Sequence, residues 1–180
     1  LCSFVKSNAF DPKGLSSPIV SAFEEDEKGN LIVGIEGGRG LSLFDRKTKL
    51  FQHFNLRSKN KTTDDNLVVL ALSRSRKDQL LIGTYGNGIF ILDPVSGNYK
   101  QMMQGSGISD LNSNFIFCIL EDHAGNFWVG TNGQGINVLN KDHKVIFRYT
   151  PDPKLSNDRL LPLNGYIRDI IEDKLGNIWI

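Results

Sequence analysis

Residues 121–126, Glu121-Asp122-His123-Ala124-Gly125-Asn126, put two carboxylates, an imidazole and an amide within one short stretch. The same Glu-Asp-x-x-Gly-Asn spacing recurs from Glu172 to Asn177, and an acidic run, Glu24-Glu25-Asp26-Glu27, precedes Asn30. Oxygen-rich loops of this kind invite a calcium reading. The spacing of several carboxylates around a glycine with a distant glutamate is missing, however. Asp122 and Asp173 are therefore expected to accept backbone N–H bonds inside a tight turn, with Gly125 and Gly176 supplying positive φ. The Glu24–Glu27 run reads as a solvated turn. His53, His123 and His143 have no His-x-x-x-His partner and no cysteine pair beside them, which argues against a metal site. The two cysteines, Cys2 and Cys118, are too few for a disulfide framework or a four-cysteine zinc site. Cys118, between Phe117 and Ile119, is expected to be a buried thiol. A Ser-His-Asp arrangement stays open on sequence, but no Gly-x-Ser-x-Gly elbow raises its odds. No cofactor is expected.

Three glycine-rich segments are better placed to act. They are Glu36-Gly37-Gly38-Arg39-Gly40, Tyr85-Gly86-Asn87-Gly88 and Asn132-Gly133-Gln134-Gly135. None is a phosphate loop, because the Lys-Ser/Thr and the following helix are absent. They read as hairpin turns whose glycines are fixed by geometry and whose neighbours are free to vary. Glu36, Arg39, Tyr85, Asn87, Asn132 and Gln134 are thus the candidate ligand-binding residues. Amide, guanidinium and aromatic groups suit the hydroxyls and the apolar face of a sugar. Arg57, Lys59, Lys61, Lys154 and Arg159, in the longer loops, would suit an acidic glycan. Solvated polar turns and solvated charge are the plain alternatives.

The elements that carry these turns repeat. Residues 19–35, 68–84, 116–131 and 167–180 share one frame, and aligning Asn30, Gln79, Asn126 and Asn177 gives spacings of 49, 47 and 51. Gly34, Gly83 and Gly130 keep the first two spacings. The third unit splits into apolar runs at Phe115–Glu121, Asn126–Thr131, Gly135–Asn140 and Lys144–Thr150, with tight turns between them. Four antiparallel strands at a period near 50 predict an all-β fold, a β-propeller fragment built of four-stranded blades. The repeats run over about 17–65, 66–113, 114–164 and a shortened 165–180, in one partial propeller spanning 1–180. Bulky triplets such as Leu31-Ile32-Val33 and Phe127-Trp128-Val129 need burial on both faces of a sheet, which stacked blades provide. Trp128 and Trp179 are expected to pack between blades. The more polar fourth runs, around Gln52 and Lys100, fit an outer edge strand. Residues 1–6 are expected to be the outer strand of a preceding blade, and two apolar blade faces are expected to stay open unless more chain or another subunit covers them. The chain begins at Leu1 and reads as a piece of a longer protein.

Composition narrows the classes. In 180 residues there are 21 Lys+Arg and 20 Asp+Glu, a net charge of +1, which argues against a nucleic-acid surface. No stretch nears the roughly 18 apolar residues of a membrane helix. Glycine is high, at 18 residues, as turn-dense β folds require.

At Ile116, Ile119, Glu121, Asp122, Gly125, Asn126, Trp128, Gly130, Thr131, Gly133, Gly135 and Ile136 the sequence resembles the two-component regulator propeller repeat. The fourth unit is similar at Ile167, Ile170, Glu172, Asp173, Gly176, Asn177 and Trp179. The first unit departs, with Ile32 for Trp and Ile35 for Thr. The second reads Arg74-Ser75 and Asp78-Gln79 where the acids and Gly-Asn belong. The Leu-Ser-Ser and Leu-Asn-Ser-Asn segments before strands are also similar to the family. The resemblance implies a noncatalytic periplasmic sensor region of a membrane-anchored hybrid histidine kinase, with the kinase module elsewhere. It implies detection of oligosaccharides, further blades or a second subunit, and a homodimer in the parent. The alternative is a structural propeller scaffold for dimerisation or protein–protein contact. A propeller lyase or glycosidase would need paired carboxylates, or a His–Glu pair, facing the ring axis.

Overall fold

The computed structural model describes residues 7, 8, 10–59, 67–150 and 165–180. Alternation of apolar and turn residues resolves into fourteen short strands. The first sheet holds β1 (Val20–Glu25), β2 (Leu31–Ile35), β3 (Leu41–Phe44) and β4 (Phe51–His53). The second holds β5 (Val69–Arg74), β6 (Leu80–Thr84), β7 (Ile89–Leu92) and β8 (Tyr99–Met102). The third holds β9 (Ile116–Glu121), β10 (Phe127–Thr131), β11 (Ile136–Leu139) and β12 (Val145–Tyr149). A two-stranded sheet follows, with β13 (Ile171–Glu172) and β14 (Ile178–Trp179). Strands pair antiparallel in sequence order, and no helix forms among the described residues. The chain is an all-β propeller fragment of three blades and part of a fourth.

The bulky triplets divide between the two faces of each blade. Ile32 looks forward onto Leu80, Ile82, Phe90 and Leu92 of the second blade. Leu81, next in chain to Leu80 and Ile82, looks forward onto Phe127 and Val129 of the third. Trp128 packs with Ile167, Ile170 and Ile178 of the fourth. Each interface has an apolar core, and burying it is the main term that holds one blade to the next.

The closest approach lies where the strands β2, β6 and β10 carry glycine. A methyl group on Gly34 would sit 2.7 Å from Val69 Cγ1, and one on Gly83 would sit 2.7 Å from Ile116 Cγ2. On Gly130 it would meet Cys118 Sγ and stand 2.5 Å from Ile167 Cγ2. A β-branched side chain of each following blade therefore occupies the space a Cβ would need. Cys118 is buried there as a free thiol, and burial pushes its pKa up to about 12.

The expected open faces are only partly so. On the rear face of the first blade Leu15, from the segment before β1, packs on Val33, Ile35 and Phe51, while Phe23, opposite Val33 on the same face, is 61 % exposed. That segment is tied on by the Phe51 N–H donating to the Lys13 carbonyl at 2.9 Å, and by the Arg39 N–H donating to Ser16 Oγ. At the other end Trp179 is 60 % exposed and Ile171 is 56 % exposed. Residues 1–6, expected as an outer strand, lie outside the described residues.

Replacing Gly130 with alanine is expected to cost about 1–3 kcal/mol, the usual penalty for overpacking a filled interior. Urea denaturation of the whole protein checks this, and an unchanged midpoint would remove the close approach at Gly130 from the account.

Candidate functional site

The turns after the second strands lie on one rim. Glycine is required there twice over in the third blade: Gly133 and Gly135 have φ of 85° and 77°, and both N–H groups donate to the Gly165 carbonyl at 3.1 and 3.0 Å. Gly86 and Gly88 donate in the same way to the Asn114 carbonyl, at 3.0 and 2.9 Å. Thr84 and Thr131 brace the turns from inside, their hydroxyls donating to the Gly88 and Gly135 carbonyls. The turn backbone is thus a latch onto the next blade, and side chains are what remain for a ligand.

Those side chains gather unevenly. Tyr85, 49 % exposed, stands edge-on to Phe115 with ring centroids 4.8 Å apart. Asn132 donates its N–H to the Phe115 carbonyl and bridges to Tyr166, whose ring lies against Gly133. Tyr85, Phe115, Asn132 and Tyr166 therefore form one connected run along the rim of the second to fourth blades. Asn87 is half-buried beside it, with its carbonyl accepting from Gln101 Nε2. Gln134 is exposed, and its carbonyl accepts from Asn112 Nδ2. Glu36 is fixed through its backbone to Ser17 and Ile19. Arg39 lines a separate open cavity of 440 Å³ with His53 on the first blade. Sequence reasoning missed Phe115 and Tyr166. Their signal was present, since each is the aromatic residue directly before the isoleucine that begins its repeat frame (Ile116 and Ile167), 51 positions apart. Arg57 and Lys59 run along the outer strand β8, their N–H groups donating to the Tyr99 hydroxyl and Gln101 Oε1. Lys61, Lys154 and Arg159 lie outside the described residues.

The opposite rim carries the acidic motif. Asp122 Oδ1 accepts the Asn126 N–H at 2.8 Å. Its Oδ2 accepts the Asn126 amide at 3.1 Å and the Trp128 indole N–H at 2.9 Å. Asp173 holds Asn177 and Trp179 in the same way. The expected N–H-accepting turn is present, and the indole is an addition that spacing did not reveal. Burial of Asp122 by itself would raise its pKa, and the Trp128 and Asn126 donors outweigh that and leave it below the ordinary value of 3.8. The Asn177 amide, then the Trp179 indole, hold Asp173 well below that value. The adjoining glutamates reach across blades instead: Glu121 accepts the Arg76 N–H, and Glu172 accepts the His123 N–H and contacts its ring. Where the second blade has Arg74 in the glutamate position, the sense is reversed. Its guanidinium donates to the Glu25 carbonyl and pairs with Glu27 and Asp78.

The histidines have structural surroundings. Ser42 Oγ and His53 Nδ1 are 2.8 Å apart, but Ser42 is fully buried between strands, out of reach of a substrate. His143 stacks on Phe127, and burial lowers its pKa to about 4, so it is neutral. Among the described residues no three His, Cys, Asp or Glu side chains are grouped to hold a metal ion.

Residues 110–133 match the family model described as two component regulator propeller. No curated protein sequence matches the chain. Among solved structures it is similar to the extracellular domain of BT4673 from B. thetaiotaomicron, described as a one component system, with 22 % identity and TM-score 0.75 over 96 % of this chain and 21 % of that one. It is similar to the extracellular domain of BT3049 from the same organism, described as a hybrid two component system, with 25 % identity and TM-score 0.68 over 92 % and 20 %. Virginiamycin B lyase from Staphylococcus aureus shares the fold at 15 % identity and TM-score 0.56, over 78 % and 42 %. The chain spans about one fifth of the length of the two B. thetaiotaomicron proteins.

Trp128→Phe keeps an aromatic side chain in the packed site but removes the N–H together with the five-membered ring. It is expected to raise the Asp122 pKa toward 3.8 and to cost about 1 kcal/mol, read by carboxyl NMR titration. A depressed carboxylate stabilises the fold fully above its unfolded pKa, and that contribution is lost as pH falls through the lower folded value. The acid-unfolding midpoint of the variant should therefore move up in pH, and an unmoved Asp122 titration would remove the indole from the account.

Proposed function

We propose that this chain is part of the extracytoplasmic sensor propeller of a membrane-anchored two component receptor, noncatalytic in itself, that detects oligosaccharides. The connected aromatic and amide run of Tyr85, Phe115, Asn132 and Tyr166 carries the reading. A pyranose ring has apolar C–H faces and a belt of hydroxyls. Exposed aromatic rings next to amides offer matching surfaces for both, and loops on a rigid scaffold are where binding groups concentrate. The repeat at 110–133 and the likeness to an extracellular domain described as part of a hybrid two component system support the signalling context. Among the described residues no helix is long and apolar enough to cross a membrane, so the proposed anchor lies elsewhere in the parent protein.

A scaffold role, in dimerisation or protein contact, is the second reading. The engagement of every glycine N–H of the second and third turns in blade-to-blade bonds favours it. In that reading Glu36, Arg39, Asn87 and Gln134 are plain turn residues.

Thermal unfolding of the whole protein against neutral and acidic oligosaccharides separates the two. Free ligand at 100 times its Kd stabilises the native state by about 2.7 kcal/mol. The midpoint should rise with a particular glycan, and Tyr85→Ala and Asn132→Ala should abolish the rise. A rise untouched by either variant makes these blades scaffold, and no rise with any glycan defeats the sugar reading.

A further inference from the structure

On the rim away from the glycine turns, three equivalent slots lie between successive blades. The slot between the third and fourth blades is filled by the Trp128 indole, which donates to Asp122. The slot between the second and third has Leu81 in the tryptophan position, and the His143 imidazole fills it instead, 5.3 Å from the Phe127 ring. Only 20 Å³ of space is left there. The slot between the first and second blades has neither ring. Ile32 stands where Trp128 does, and the left-handed turn position of His143 is Gly97, where an added Cβ would meet nothing within 4 Å. A cavity of 370 Å³ remains, walled by Ile32, Leu43, Phe54 and Leu80.

The polar end of the missing ring's site is intact. Asp26 Oδ1 accepts the Asn30 N–H at 2.7 Å and Oδ2 accepts the Asn30 amide at 3.0 Å, as Asp122 does with Asn126. Gly29 has φ 79° against 82° for Gly125, so the two turns share one shape. The strand register is also the same: Ile32 pairs with Glu24 and Leu43, and Trp128 with Leu120 and Val138. Asp26 lines the cavity, and its Oδ2 lacks the indole partner that Asp122 Oδ2 has. Arg74 and Asp78, ion-paired at 2.6 Å, line the same cavity.

We propose that this slot binds a flat apolar ring carrying an N–H donor, an indole-class ligand, in the place that Trp128 fills two blades on. The ring would lie over Ile32 and Leu80, against Leu43 and Phe54, and donate to Asp26. The third blade supplies the template for both contacts. The volume is within the usual range for small-molecule pockets, and the site is distinct from the proposed sugar-binding rim.

Equilibrium dialysis with the whole protein tests this with three probes: indole, indene, which has the same ring shape without N–H, and N-acetyltryptophanamide. Indole should bind one to one and indene at least fivefold more weakly. Ile32→Trp, which fills the slot with the protein's own indole, should abolish indole binding and leave the unfolding midpoint unchanged or higher. If that variant does not fold, Leu43→Trp, from the cavity wall, takes its place. Tighter binding of N-acetyltryptophanamide than of indole assigns the ring to a peptide, and weaker binding assigns it to a free metabolite. No indole binding, equal binding of indole and indene, or undiminished binding by the filled variants each overturns the proposal.

Discussion

The structure depends on how closely one blade's first strand can approach the second strand of the blade before it. Gly34, Gly83 and Gly130 are the points of that approach, and Val69, Ile116 and Ile167 press into them. A sheet apolar on both faces has no stable state alone in water, because either face left bare returns its burial energy to solvent. The glycine row lets the faces meet closely at Gly34, Gly83 and Gly130. With the faces in contact, the turns on both rims come within hydrogen-bond reach of their neighbours. The latches from Gly86, Gly88, Gly133 and Gly135 on one rim and from Glu121 and Glu172 on the other then follow.

Much of this was legible in the sequence. The 49, 47 and 51 spacings set the blades, and the alternation of Leu31, Ile32 and Val33 set which side chains face which way. The strand ends differ by about one residue, since apolar residues such as Phe115 can extend a run past the last ladder pair. What stayed hidden was every contact between residues about one repeat apart. Nothing local to Glu121 says that it will hold the Arg76 backbone, and nothing local to Asp122 says that an indole six residues on will turn back to it. The rim was half legible: glycines announced the turns, but Phe115 and Tyr166 came from strand starts, where an aromatic residue reads first as core.

The Glu-Asp pair divides its work. The aspartate closes its own turn and the glutamate holds the neighbour's, so adjacent acids serve two different blades. The second blade lost both acids, and it compensates by opposite chemistry. Ser75 accepts the turn N–H groups that an aspartate would, and Arg74 and Arg76 donate to carbonyls of the blades on either side. The repeat thus conserves a bond rather than a residue, which is why its second copy is the hardest to recognise.

The two faces of a blade are unlike. Ile32, Leu81 and Trp128 mark the forward face; the rear face carries Val33, Ile82 and Val129 and receives the latches through lead-in carbonyls such as Asn114 and Gly165. Such surfaces join head to tail and have no self-complementary form. Blades therefore carry a direction, like links that hook only one way. Two like forward faces brought together would set turn donors such as Gly133 and Gly135 beside one another, without the lead-in carbonyl that a following blade supplies.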